Sequence, residues 1–175
     1  MPDPRDSLTD ELLVMDAQDG DRRAMDRLIR RWQKRLWAHA YRLTGDHDAA
    51  WDVTQDGWMA VIKGLGRLHD HARFKPWAYR IVTNKAMDWL KRRPAPRPLP
   101  AQPPGRQPEP DSDETLSRLL GRLAPARRAV LALYYLDDLS IAEIGAVLRI
   151  PTGTVKSRLH HARNELRDLW QRQAR

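Results

Sequence analysis

The chain has 175 residues, enough for one domain or two small ones. Its 31 lysines and arginines exceed its 23 aspartates and glutamates, a formal charge of +8, which suits a polyanionic partner through counterion release. It has no cysteine, which excludes disulfides and thiolate chemistry, and no apolar run approaches the ~20 residues of a membrane-spanning helix. In chain order, Thr9 and Asp10 open a short helix that ends near Gly20. Asp21 caps a long helix running to about Thr44, where Gly45 is the stop signal. This half relies on indoles for bulk: six of the seven tryptophans precede residue 90 and Phe74 is the only phenylalanine.

Asp46 starts a third helix that reaches about Leu65. Asp48, Asp52 and Asp56 recur at i, i+4, i+8 and share one face, with Gln55 alongside. Ala50, Thr54, Trp58, Val61 and Leu65 lie opposite. Like charges at this spacing cost a few tenths of a kcal/mol per pair. Only Asp48 sits where the helix dipole offsets that cost. The face is either solvated or a dock for a basic partner; in a chain this basic it is not aimed at DNA.

Gly66 to Arg73 reads as a loop. Within it, His69-Asp70-His71 has no further ligand pattern to make it a metal site. Pro76 suits the first turn of a fourth helix ending at Arg93. Tyr79, Val82, Ala86, Trp89 and Leu90 form its apolar stripe. Trp77, Arg80, Ile81, Asn84, Asp88 and Lys91 occupy the other side. An indole beside arginine and asparagine suits unpaired bases, since the ring stacks, the amide meets a base edge and the cation meets phosphate. Packing of Trp77 on a neighbouring helix satisfies the same spacing. Lys91-Arg92-Arg93 place cations where the helix dipole and a nucleic-acid backbone both favour them.

Pro94 to Asp111 holds eight of the 13 prolines and reads as an extended, flexible linker. It divides the chain into residues 1–93 and 112–175. The second half reads as helices near 113–122, 126–136, 140–148 and 152–172. Pro125 fits a helix start, Ser140 with Glu143 a capping box, and Thr152 a cap for the last helix. A tight turn at Arg149-Ile150-Pro151 separates the last two, which makes a helix-turn-helix. Val155, Leu159, Ala162, Leu166 and Leu169 form the apolar stripe of the final helix. Ser157, His160, His161, Asn164 and Arg167 lie opposite, flanked by Lys156 and Arg163. A helix-turn-helix puts such a helix into the major groove of DNA, and an ordinary solvated helix of a bundle has the same two faces. No P-loop, nucleophile elbow or metalloprotease motif is present, so no enzyme is expected.

Three blocks carry a family resemblance: YRLTGDHDAAWDVTQDGW, RFKPWAYRIVTNKAMDWLKRR and LAPARRAVLALYYLDDLSIAEIGAVLRIPTGTVKSRLHHARNEL. In this order they are similar to the polymerase-docking helix, the −10 region and the −35 domain of bacterial extracytoplasmic-function (ECF) sigma factors. The resemblance implies an all-α fold of two small helical domains, a sigma-2 bundle (residues 1–93) and a sigma-4 helix-turn-helix (112–175), joined by the Pro-rich linker (94–111). It implies a non-catalytic transcription initiation factor without cofactor or metal. That factor is cytoplasmic, nucleoid-associated in holoenzyme, and monomeric when free. Asp48, Asp52, Gln55 and Asp56 are then expected on the β′ clamp helices of core RNA polymerase, with the β flap as a further contact. Phe74, Trp77, Arg80, Ile81, Asn84, Lys91 and Arg92, with the loop from Leu68 to Arg73, are expected on the melted −10 element. Thr154, Lys156, Ser157, Arg158, His160, His161 and Arg163 are expected at the −35 duplex. An anti-sigma factor wrapping both domains is the expected regulator. The chain departs from the family pattern at Trp51, where a glutamate is usual, and at Gly145, where alanine is usual and glycine costs about 1 kcal/mol of helix propensity.

Overall fold

Residues 4–92 and 112–173 are described here from a computed structural model, and every regular element among them is helical. In chain order these are α1 (Pro4–Gln18), α2 (Arg22–Thr44), α3 (His47–Gly64), α4 (Phe74–Arg92), α5 (Ser112–Gly121), α6 (Pro125–Leu131), α7 (Ile141–Leu148) and α8 (Thr152–Gln173). No described helix is long and apolar enough to cross a membrane. The linker expected at residues 94–111 and the helix end expected at Arg93 lie outside the described residues.

In the first domain α2 is the spine. Asp21 accepts a hydrogen bond from the Arg23 amide at its start, and Gly45 (φ +67°) ends it in the left-handed conformation. Leu28, Trp32, Leu36, Ala40 and Leu43 line its buried side. Trp32 is 1% exposed, with Phe74 and Tyr79 edge-on at 5.8 and 6.2 Å, pairs worth about 0.5–1.5 kcal/mol each beyond their burial. Helix α1 begins at Pro4, earlier than Thr9, because its first turns are clipped to α2. Arg31 donates to Asp6 (2.6 Å) and to Asp10 (2.7 Å), and the Trp32 indole donates to Asp10 (3.0 Å). The Arg31 hydrogen bond holds the Asp6 carboxyl below its usual range. Two 3₁₀ turns, Leu65–Arg67 and His71–Arg73, replace the simple loop read between α3 and α4. Gln18 fastens that segment to α1, donating to the carbonyls of Leu65 and Leu68 and meeting His71 Nε2 at 2.8 Å. His71 is thus a structural tie, and no described group of histidines and carboxylates has the arrangement of a metal site.

In the second domain α6, α7 and α8 pack around Val130, Leu133, Ile144, Val147, Val155, Leu159 and Ala162, all 5% exposed or less. The capping box forms as expected, with Ser140 and Glu143 bonded reciprocally. Arg149 (φ +54°) makes the turn into α8. Thr152 is the first residue of α8 rather than its cap; Pro151 precedes it, and its carbonyl accepts from the Val155 amide. The expected helix over 126–136 is α only to Leu131. Ala132–Leu136 is a π-helical turn, closed by the Asp137 amide donating to the Ala132 carbonyl (3.0 Å).

The two domains touch. Helix α4 packs along α7, and α2 meets α5, α6 and the π turn. Arg128 of α6, 7% exposed, donates to the Leu43 carbonyl of α2 (2.6 Å) as well as to Gly121 and Leu123.

Candidate functional site

The acidic face of α3 forms as the spacing requires. Asp46 caps the helix, accepting from the Ala49 amide at 2.9 Å. Ala49, Ala50, Val53, Thr54, Gly57, Trp58 and Val61 turn inward. Asp48, Asp52, Gln55 and Asp56 all point to solvent. Asp48 meets only His47, at 3.6 Å, while Asp52, Gln55 and Asp56 form no hydrogen bond or ion pair with any described residue. Unneutralised carboxylates on one exposed face are available to a cationic partner. Thr54 is 1% exposed and donates to the Ala50 carbonyl, so its hydroxyl is closed to modification.

Two features of this face escaped the sequence reading. Met59 and Ile62, 52% and 51% exposed, extend it seven residues beyond Asp52 and Gln55, so its far half carries apolar surface beside the exposed Lys63. Trp51 has a structural role: it leans on Trp37 (5.7 Å), which stacks flat on Tyr41 (5.4 Å) and takes His47 edge-on (5.2 Å). Trp51, 43% exposed, lies at the surface of this cluster beside the carboxylates.

The α4 residues divide. Phe74, expected among base contacts, is 1% exposed and belongs to the core. Its ring supports Trp77 at 6.2 Å. Trp77 is half-buried, because a Cβ at Gly64 would lie only 3.1 Å from its ring: the indole packs on that glycine. Its remaining surface lines a groove of about 290 Å³ with Arg80, Leu68 and Arg73 on one wall and Ala142, Glu143 and Ala146 of α7 on the other. Ile81 is half-buried against the core, Asn84 is exposed, and Lys91 and Arg92 are exposed at the helix end.

Helix α8 presents the surface its periodicity predicted. Val155, Leu159 and Ala162 are 5% exposed or less. Lys156, Ser157, His160, His161 and Arg163 are exposed, and Thr154 and Arg158 are half-buried. The two imidazoles meet edge-on, their rings 5.7 Å apart at 73°. His160 pairs with Asn164 (3.1 Å), and Arg163 reaches the Tyr135 hydroxyl (3.4 Å). Donors of several geometries thus project from one face near the helix N-terminus, the end that enters a major groove.

A third constellation was not read from the sequence at all. Asp137, just beyond the π turn, has a side chain only 2% exposed. Its Oδ2 accepts from His39 Nδ1 at 2.6 Å, and its Oδ1 accepts from Arg42 (2.9 Å) and Tyr79 (3.2 Å). All three donors belong to the first domain. His39, fully buried, meets Thr83 Oγ1 with Nε2 at 2.9 Å. Burial and the neighbouring carboxylate hold the Tyr79 phenol above its ordinary pKa, so it stays a donor.

Residues 28–94 match the sigma-70 region 2 family model and residues 113–166 the sigma-70 region 4 model. The chain belongs to the sigma-70 family, as an ECF sigma factor. It is 36% identical over 171 residues to the ECF RNA polymerase sigma factor SigE of Mycolicibacterium smegmatis, covering 89% of this chain but spanning 65% of the length of SigE. It is 27% identical over 173 residues to ECF sigma factor SigW of Bacillus subtilis, covering 88% and 92% of the two chains. Among solved structures it is similar to CnrH in complex with the cytosolic domain of CnrY, with 28% identity, a TM-score of 0.74, and coverage of 93% and 97%. The sigma factor is accordingly a promoter-directing factor of transcription initiation, a regulatory subunit rather than a catalytic one. Its region 2 match contains the acidic face of α3 and the α4 wall of the groove, and its region 4 match contains the α7 wall, the turn and most of α8.

Proposed function

We propose that this sigma factor docks on core RNA polymerase through α3 and reads promoter DNA through α4 and α8. The supporting observation is the unneutralised face of Asp52, Gln55 and Asp56 on a chain of net charge +8. With Asp48 it meets the basic β′ clamp helices, and Met59, Ile62 and Trp51 add apolar contact to the charge attraction. Trp77, Arg80, Ile81 and Asn84 take bases of the melted −10 element, with Lys91 and Arg92 on the backbone; Phe74 acts from beneath by holding Trp77. Stacking worth about 1–3 kcal/mol per base offsets the unstacking cost, so melting needs no ATP. Lys156, Ser157, His160 and His161 face the −35 major groove, and Thr154, Arg158 and Arg163 reach phosphates. Residues 1–93 form the docking and melting unit, 94–111 the tether and 112–175 the duplex reader, which also meets the β flap. An anti-sigma factor regulates it, as CnrY binds CnrH. The factor works in the cytoplasm, on the nucleoid when in holoenzyme.

Run-off transcription with purified core polymerase and a library of genomic promoters tests the reading. Initiation by the wild type, and its loss together with core binding in Asp52→Arg, is expected. A charge-reversed α3 that still assembles with core at wild-type affinity overturns it.

A further inference from the structure

Asp137 is unusual in three ways that converge. The π turn before it and the left-handed Asp138 (φ +53°) after it lift its side chain out of the second domain. Among the described residues its carboxylate is bonded only to first-domain side chains, His39, Arg42 and Tyr79, and water is all but excluded. The neighbouring Asp138 carbonyl accepts from Lys75 at the start of α4 (2.9 Å), and burial lowers the pKa of that lysine. A buried carboxylate with three donors holds only in one geometry. When any donor withdraws, an uncompensated charge is left out of water.

This contact sets what lies over α4. With Asp137 seated, α7 follows immediately and forms the far wall of the groove containing Trp77 and Arg80. Single-stranded DNA cannot lie along that groove while α7 is there. We propose that Asp137 is an interdomain bolt: seated between His39, Arg42 and Tyr79, it holds the chain closed with α7 across the −10 face, and its withdrawal exposes that face. The first part stands on the socket alone. The second rests on the reading of α4 as the base-capturing surface.

The chain has no native cysteine, so dyes on Lys63→Cys in α3 and Arg172→Cys in α8 report the distance between domains. Asp137→Ala is compared with the wild type by energy transfer, and by affinity for fluorescein-labelled single-stranded DNA of mixed sequence at fixed salt. Removing one member of a buried charged cluster shifts the open-to-closed ratio by about a hundredfold or more. Transfer should fall, and DNA affinity should rise at least tenfold. Adding Trp77→Ala should abolish that rise. Asp137→Asn keeps the shape and gives a smaller change of the same sign. Helicity by circular dichroism should match the wild type, since every side-chain bond of Asp137 crosses the domain boundary. Unchanged transfer in both variants overturns the bolt. Opening without a gain in DNA affinity overturns the occlusion of the −10 face. Run-off transcription by the wild type does not depend on either result, so failure here is distinguishable from failure of the docking and promoter-reading scheme.

Discussion

Gly145 shows why a residue's worth cannot be taken from propensity alone. In mid-helix, glycine is about 1 kcal/mol worse than alanine. A Cβ at this position would lie 3.0 Å from the Ile150 carbonyl oxygen, where the chain turns back toward α8. The turn needs that approach, because the Ile150 amide donates to the Gly145 carbonyl at 3.0 Å. Gly145→Ala should therefore gain less than the about 1 kcal/mol that propensity offers. Chemical denaturation checks this; a full gain means that the turn relaxes freely. Asp137 and Phe74 make the same point about chemistry. Nothing adjacent to Asp137 in sequence suggests a buried carboxylate, since His39 is 98 positions away. Phe74 sat in a pattern that resembled a base-contacting block, yet its ring fills the core beside Trp32.

At the scale of elements, α3 and α8 are each amphipathic with a functional outer face, but they are held differently. Helix α3 lies tight against α4: a Cβ at Gly57 would come within 2.9 Å of Val82 Cγ2. Gly57→Ala should destabilise the first domain by about 1–3 kcal/mol through overpacking, and the cost should fall by at least half in a Val82→Ala background. Denaturation of the four members of that cycle tests whether this contact fixes the separation of the two helices. Helix α8 is anchored by Val155, Leu159 and Ala162, and Lys156 and Arg163 are exposed on its outer side. If Arg163 reaches a phosphate, Arg163→Ala should weaken holoenzyme binding to all promoters alike and lower the slope of log affinity against log salt by about one. A change confined to particular −35 sequences would instead assign Arg163 to a base.

For the whole molecule, the contact between domains contains three polar ties among the described residues: the Asp137 socket, the Lys75 bond to the Asp138 carbonyl, and Arg128. Arg128 meets no carboxylate among the described residues. It is buried, its pKa is lowered by that burial, and it donates to three backbone carbonyls, one of them Leu43 in the other domain. Arg128→Met keeps the apolar stem but leaves buried acceptors bare, at about 1–3 kcal/mol each. Thermal unfolding should show a loss of several degrees in Tm. No change would mean that water replaces the guanidinium without cost.

The eight helices, the turn before α8, the acidic stripe of α3 and the basic face of α8 were legible in the order of residues. They follow from a 3.6-residue period and from caps such as Asp21, Asp46 and Ser140, which act within a few positions. The same local rules misplaced Thr152 by one position and ran α6 through a π turn. They were silent on Met59 and Ile62, because exposure depends on which neighbours arrive to cover a face. The burial of Phe74, the packing of Trp77 on Gly64 and the seating of Asp137 between His39, Arg42 and Tyr79 were decided only by tertiary structure. Each depends on groups brought together across a helix or a domain, where the distance of approach, and not residue type or spacing, determines whether a side chain meets water, an apolar wall or a charge.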